Sequence, residues 1–180
     1  VQERATVLLA NLTLRGGATA GGALVAMRGS TLFARDVVVR DARSGLDGGA
    51  ICSHGARVVL ERCTLTRNTA RRGGAVFATG GGDGDTVIAT DTLISLHHTL
   101  LVGNVADEAG GAFHIDGSMN VPGTYPQAHI TTSTFEDNTA LGAGGAVYAQ
   151  GARIVAEGTD FIGNAALGRN VSQSGIVTNG

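Results

Sequence analysis

Apolar residues alternate with other residues over short stretches of this chain, and the alternation then breaks at polar pairs. Val7 and Leu9, Val58 and Leu60, Ile94 and Leu96, and Ile154 and Ala156 each stand two apart, and Phe33 and Ile130 take the second place in their own stretches. Period two over a few residues is the signature of a strand with one buried face. Glu61-Arg62, His97-His98 and Thr131-Thr132 follow directly, and both side chains of each pair reach water only if the chain bends there. Beyond the bend, Leu14, Val38, Leu65, Leu101, Phe135 and Phe161 supply a second inward position. A third follows a Gly-Gly-Ala triplet at Leu24, Ile51, Val76, Phe113 and Val147, with Ala26, Ser53, Ala78, Ile115 and Ala149 two residues later.

These stretches recur as one unit. Asn68, Asn104, Asn138 and Asn164 stand three residues after the second inward position, with Gly17 and Asp41 in that slot of the earlier units. The triplets start at Gly21, Gly48, Gly73, Gly110 and Gly144, so their separations are 27, 25, 37 and 34 residues. Constant strands with loops of variable length suit a solenoid better than a helical repeat of fixed length. The expected fold is all-β: a right-handed parallel β-helix with three short strands per coil and about five to six coils. Residues 1–180 then form a single segment, part of a longer chain or of a stacked assembly, with Val1 reading as the start of a processed product or an excerpt. Glycine supports the turn through positive φ, and Asn68, Asn104, Asn138 and Asn164 are expected to stack as an amide ladder, with Asn itself tolerating the left-handed region.

The segments "STFEDNTALGAGGAVYA" and "TDFIGNAA" carry Phe-x-x-Asn followed in the first by Gly-Gly-Ala-Val. This pairing resembles the repeat of the chlamydial polymorphic membrane proteins and similar extracellular β-helix proteins. The resemblance implies a β-helix on a cell surface or in secreted material with an adhesive or structural duty. The pattern departs from it at Leu65 and Leu101, which stand in place of Phe, and "SQSGIVTNG" shows nothing of the membrane barrel with which such proteins commonly end.

Composition narrows the reading. Apolar residues make up 43% and aromatics 4%, with no Trp, so the core is built from small and branched side chains. No apolar run reaches the roughly 20 residues of a transmembrane helix. All 13 basic residues are Arg, which reads as genome composition. Residues 1–72 hold 11 Arg against 5 acids, net +6, and residues 73–180 hold 2 against 10, net −8. The basic half lacks the interleaved aromatics of a nucleic-acid surface, so no nucleic acid partner is expected. Opposite halves favour docking of coils end to end, with self or a neighbouring β-helix as partner and Arg71 and Arg72 as assembly residues.

The expected function is a noncatalytic extracellular structural or adhesive protein, a stiff spacer or a filament subunit. The alternative is a module that binds a glycan or a cell-surface receptor through the loops at 79–92 and 116–128. A polysaccharide lyase or hydrolase comes third, resting on Asp36 and Asp41, because the carboxylates form no recurring set on adjacent coils. No cofactor is expected. Calcium has only Asp83 and Asp85 of "GGGDGDT" as candidate ligands, where Thr86 takes the place of the next Asp in a calcium-binding nonapeptide. The five His, at 54, 97, 98, 114 and 129, align in no metal set. Asn11-Leu12-Thr13 and Asn170-Val171-Ser172 are N-glycosylation sequons, with Asn11 in the outward bend slot shared with Arg62 and His98. Cys52 and Cys63 fall in one coil. An extracellular site favours pairing them, while parity turns Cys63 inward and Cys52 outward, so a disulfide and two free thiols both stay open.

Overall fold

The structure is a computed structural model that describes residues 5–19, 21–80, 92–117 and 125–168. The first coil contributes β1 (Thr6–Arg15), β2 (Ala18–Thr19) and β3 (Leu24–Ala26), and the second β4 (Thr31–Arg40), β5 (Arg43–Ser44) and β6 (Ile51–His54). In the third, the long strand divides at the bend into β7 (Arg57–Glu61) and β8 (Thr64–Thr66), followed by β9 (Thr69–Arg72) and β10 (Val76–Thr79). The fourth coil holds β11 (Leu93–His97), β12 (Leu100–Val102), β13 (Val105–Ala109) and β14 (Phe113–Asp116). The fifth holds β15 (Gln127–Thr131), β16 (Thr134–Glu136), β17 (Thr139–Ala140) and β18 (Val147–Gln150), and the sixth β19 (Arg153–Glu157), β20 (Asp160–Ile162) and β21 (Ala165–Ala166). Each strand pairs in parallel with its equivalent one coil on, giving sheets of ten, six and five strands among the described residues. This is a parallel β-helix of about six coils.

The three sides are divided differently from the sequence reading. The strands on either side of the polar bend belong to one sheet, since β4 spans the bend and pairs with both β7 and β8. The remaining side is the short strand after the Asn, which has one inward residue per coil, Ala70, Ala106 or Ala140, and so shows no alternation to read. The bend itself is a rank of left-handed residues, Asn11, Asp36, Arg62, His98 and Thr132, with φ between 48° and 55°, continued by Gly158 at 53°.

In the second coil the register differs by one residue. Arg43 pairs with Thr69 and the Ala42 amide donates to Asn68 Oδ1, so Ala42, not Asp41, lies over the Asn slot. Leu32, Ala34, Val37 and Val39 therefore point inward, and Phe33 and Val38 do not. Three consecutive valines satisfy either parity, which is why alternation alone misplaced this strand. Asp41 instead joins Arg67, Gly103, Asp137 and Gly163 in a second left-handed rank. In each of the Asn-bearing units the residue before the Asn takes the positive φ, and the Asn does not.

Inside the shell, inward residues stack into columns. Val39, Leu65, Leu101 and Phe135 are fully buried one above another, with Phe161 stacked on Phe135 at a centroid distance of 5.0 Å.

Candidate functional site

Asn68, Asn104, Asn138 and Asn164 form a continuous ladder. Each Nδ2 of the first three donates to the Oδ1 of the next, at 3.0, 2.9 and 2.9 Å. The same oxygens also accept the backbone amides of Asn68, Asn104 and Asn138. A second Nδ2 proton reaches back to the carbonyl of Val39, Leu65, Leu101 or Phe135. Asn68, Asn104 and Asn138 are wholly buried, so the ladder meets hydrogen-bonding needs that the tight corner leaves to no other group.

Charged chemistry collects in the corner between the second and third sheets. Asp47 is paired by Arg72 at 2.8 Å and by Arg71 at 3.4 Å, and Arg72 also reaches Asp116 at 3.5 Å. Against the pull of burial, the hydrogen bonds and charge of Arg72, and then Arg71, hold the Asp47 carboxyl below its usual range. Arg72 lies over the Phe77 ring, 4.8 Å from its centre. Phe77 continues a rank on the outer face of the third sheet, with Cys52, His114 and Tyr148 as register partners. All four are buried although they point away from the core. His114 stands between Phe77 and Tyr148 at 5.3 and 4.8 Å. Its Nδ1 faces the Ala109 carbonyl at 3.4 Å, and its buried Nε2 has no partner. Burial, and then the charge of Arg72, push its pKa down to about 4.

The neutral state of His114 gives a pH prediction. An unfolded His takes up a proton near pH 6.5, whereas folded His114 does so only near 4. Acidification through this window therefore favours the unfolded chain. Stability falls from pH 6.5 to 4 by up to about 1.4 kcal/mol per unit, and the loss from this group is complete below 4. His114→Phe, which fits between the two rings, flattens the melting temperature over that window in a thermal denaturation series. Asp47, with its lowered pKa, adds a loss that begins as pH falls through the ordinary carboxylate range and is complete only below its folded pKa.

Sequence reasoning missed this corner. The available signal was the slot after each Gly-Gly-Ala-apolar run, which aligns Cys52, Phe77, His114 and Tyr148. Arg71 and Arg72, expected to serve assembly from an end of the coil stack, are placed in the third coil and engaged with Asp47, Glu108 and Asp116 of their own chain. That is a correction of their position, with a physical reason: the net charge of a half-chain says nothing about which residues reach an end.

The two cysteines are free and lie on opposite sides of the shell wall. Cys63 points inward in a column with Thr99 and Ser133, its thiol 3.4 Å from the Ala34 carbonyl, while Cys52 faces His54 Nε2 at 3.1 Å. The disulfide alternative is thereby set aside. Burial, then the charge of Asp47, push the Cys52 thiol up to about 12, and burial raises Cys63 as well. Cys52 should react with an aromatic disulfide reagent at pH 8 at least about a hundredfold more slowly than in the denatured chain, and Cys63 more slowly as well, since the thiolate is the reacting form.

Asp36 and Asp41 are not brought together. The Arg62 guanidinium clamps Asp36 with two bonds of 2.8 Å, and Arg67 holds Asp41 at 2.8 and 3.3 Å, both lying well below the usual carboxylate range as a result. Asn11 is exposed at its bend. Asn170, Asp83 and Asp85 lie outside the described residues. No group of three or more His, Cys, Asp or Glu is arranged to hold a metal among the described residues. Among the described residues no helix is long and apolar enough to cross a membrane. The strands that lead into the two long loops are neighbours, with Thr79 the register partner of Asp116.

Fold and ladder define a parallel β-helix repeat protein. Residues 132–150 match the family model of the Chlamydia polymorphic membrane protein repeat, whose family is surface-associated. The match covers the stretch that contains Asn138 and the fifth Gly-Gly-Ala. Neither the comparison with curated proteins nor that with solved structures gives a match.

Proposed function

We propose that the chain is a noncatalytic extracellular structural protein, a stiff spacer at a cell surface. The observation that carries this reading is the unbroken amide ladder through four successive coils, which makes the chain a continuous rod wall. Chemistry that would otherwise suggest catalysis is spent on cohesion: Asp36, Asp41 and Asp47 are each clamped by arginine from the next coil. The matched repeat, in a family of surface proteins, supports the location. Antibody labelling of intact source cells, together with assay of the purified chain on polyuronates, tests the reading. Surface label without product release is expected. Label seen only after permeabilisation would overturn the location, and turnover abolished by Asp36→Asn or Asp41→Asn would overturn the noncatalytic role.

Recognition of a glycan or a receptor is a second reading, favoured by one observation. The strands that precede the loops at 79–92 and 116–128 are adjacent, their last residues Thr79 and Asp116 being register partners. A glycan array probed with the chain, and with a variant in which 118–124 is replaced by a short glycine-serine turn, tests it; binding that survives the replacement would count against these loops.

A further inference from the structure

We infer that the outer wall of the rod carries an anion site at the second left-handed bend, formed by Arg15, Arg40, Arg43 and Arg67, and that its ligand is a sulfate ester on a linear glycan. The inference goes beyond the spacer reading and does not need it.

Coil register brings these residues together. Arg15 pairs with Arg40 and Arg40 with Thr66, so three outward side chains form one column. Arg43 pairs with Thr69 in the column on the far side of the bend. Asp41 lies between the columns, where Arg67 holds it at 2.8 and 3.3 Å and Arg15 approaches to 3.6 Å. The Arg67 hydrogen bonds, and then the charges of Arg67, Arg15 and Arg40, lower the Asp41 pKa, so the Arg40 charge is felt at the same carboxylate. Four Arg thus stand around one acid. Among the described residues, neither Arg40 nor Arg43 makes an ion pair or a side-chain hydrogen bond. Arg40, Arg43 and Arg67 have coils stacked on both sides, so their outward placement follows from the register of interior coils.

Folding alone gives no reason for this arrangement. Like charges directly opposite on adjacent strands destabilise a sheet, yet Arg15 and Arg40 are register partners, and the acid beside them is already held by Arg67. The first bend shows what cohesion requires: Arg35 meets Glu61 and Asp36 meets Arg62, each at 2.8 Å, one charge for one. At the second bend an anion from outside supplies the missing counter-charge.

The donors select the class of ligand. Guanidinium groups fork onto pairs of oxygens, and the half-buried Thr66 and Thr69 add hydroxyl groups on the same face. A sulfate ester offers three terminal oxygens to such a set and a carboxylate only two. Its single charge is diffuse and weakly hydrated, as is that of guanidinium. No Phe, Tyr or Trp stands between Ala34 and Val76, so the platform on which nucleic-acid bases stack is absent from this stretch. Charge also sets how a linear polyanion lies. Residues 31–43 and 57–69 hold six Arg against three acids, whereas their equivalents 127–139 and 153–165 hold one Arg against four. The glycan therefore crosses the second and third coils and does not run along the rod.

Titration calorimetry of the chain with a short heparin oligosaccharide at physiological ionic strength tests the inference. Binding is expected, and the double variant Arg40→Gln/Arg43→Gln should weaken it at least about tenfold, because hydrogen bonds to a charged group are lost. Arg57→Gln/Arg153→Gln removes the same net charge from two exposed residues that likewise make no ion pair among the described residues. That pair should change the affinity less than about twofold, since charges beyond a Debye length are screened. Desulfated heparin and hyaluronan, which keep their carboxylates, should not bind measurably. Absence of heparin binding, equal weakening by the two double variants, equal binding of hyaluronan, or tighter binding of polyphosphate would each overturn the inference. A thermal melt without ligand gives a separate reading. Arg40→Gln relieves the charge opposite Arg15, so the melting temperature should hold or rise; a fall would make Arg40 a cohesive residue and overturn its role as a ligand-binding one.

Discussion

Asn104→Leu lowers the unfolding free energy by about 3–5 kcal/mol, read from urea denaturation followed by circular dichroism. Leu keeps the branched outline of Asn but is bulkier, so the loss is mainly one of polar satisfaction with some overpacking added. Asn104 Oδ1 accepts both the backbone amide and the Nδ2 of Asn68 at 3.0 Å, and Asn104 Nδ2 donates to Leu65 O and Asn138 Oδ1 at 2.9 Å. Removal leaves the Asn68 amide and the Leu65 carbonyl buried without those partners, at about 1–3 kcal/mol for each group. The neighbouring rungs lose polarisation too. Asn104→Asp separates donor from acceptor: a carboxylate still accepts from Asn68 but cannot donate to Leu65 or Asn138. Its destabilisation should shrink as pH falls and the carboxyl gains a proton. A loss below about 1 kcal/mol for Asn104→Leu would mean that water replaces the rung and that the ladder contributes little to cohesion.

How much of this was legible depends on what each residue does to period and spacing. The inward columns at Leu60, Leu96 and Ile130, and those after each Gly-Gly-Ala, stand out because strict alternation is forced wherever one face is buried. The Asn slot shows through repetition alone. The side made of Thr69–Arg72 and its equivalents leaves no trace, since its inward residue is a single alanine and its other positions are polar or half-buried without alternation. The second coil slipped because Val37, Val38 and Val39 fit both parities, and Arg40-Asp41 offered a polar pair to the wrong slot. The cluster around Asp47 was invisible for another reason. Asp47, Arg72 and Asp116 lie 25 and 44 residues apart, and only the coil register brings them together.

The outward rank Cys52, Phe77, His114, Tyr148 ties the corner to the fold. Side chains on the outer face of a solenoid usually meet water, yet here they are as buried as the core. The corner between the second and third sheets thus acts as a second, smaller core, with Arg72 bridging its aromatic and acidic parts. Its polar members raise the cost of misregister: a slip by one coil would take Arg72 away from Asp47 and leave both charges without their partner.

Gly74→Ala is expected to cost about 3 kcal/mol or more, and its test separates two uses of glycine in the triplet. Gly73 has φ +61°, so alanine there is forced into a left-handed conformation at about 1–2 kcal/mol, and its Cβ would also strike the Val76 carbonyl of its own coil. Gly74 has no positive φ; a Cβ on it would strike the Gly111 carbonyl and the backbone of Val105 in the next coil. Backbone, unlike the tip of a side chain, cannot move aside without breaking the pairing of both sheets that meet there. Overpacking in a rigid site costs about 1–3 kcal/mol and occasionally more, and here two coils must separate to relieve it. The same collision recurs for Gly49 with Gly74 and for Gly111 with Gly145, so the second glycine keeps neighbouring coils in contact while the first turns the chain. Denaturant midpoints of Gly73→Ala and Gly74→Ala, measured side by side, decide the matter. If Gly74→Ala proves the milder of the two, coil contact at this corner is looser than the geometry requires, and the tight turn within one coil is the main demand on the triplet.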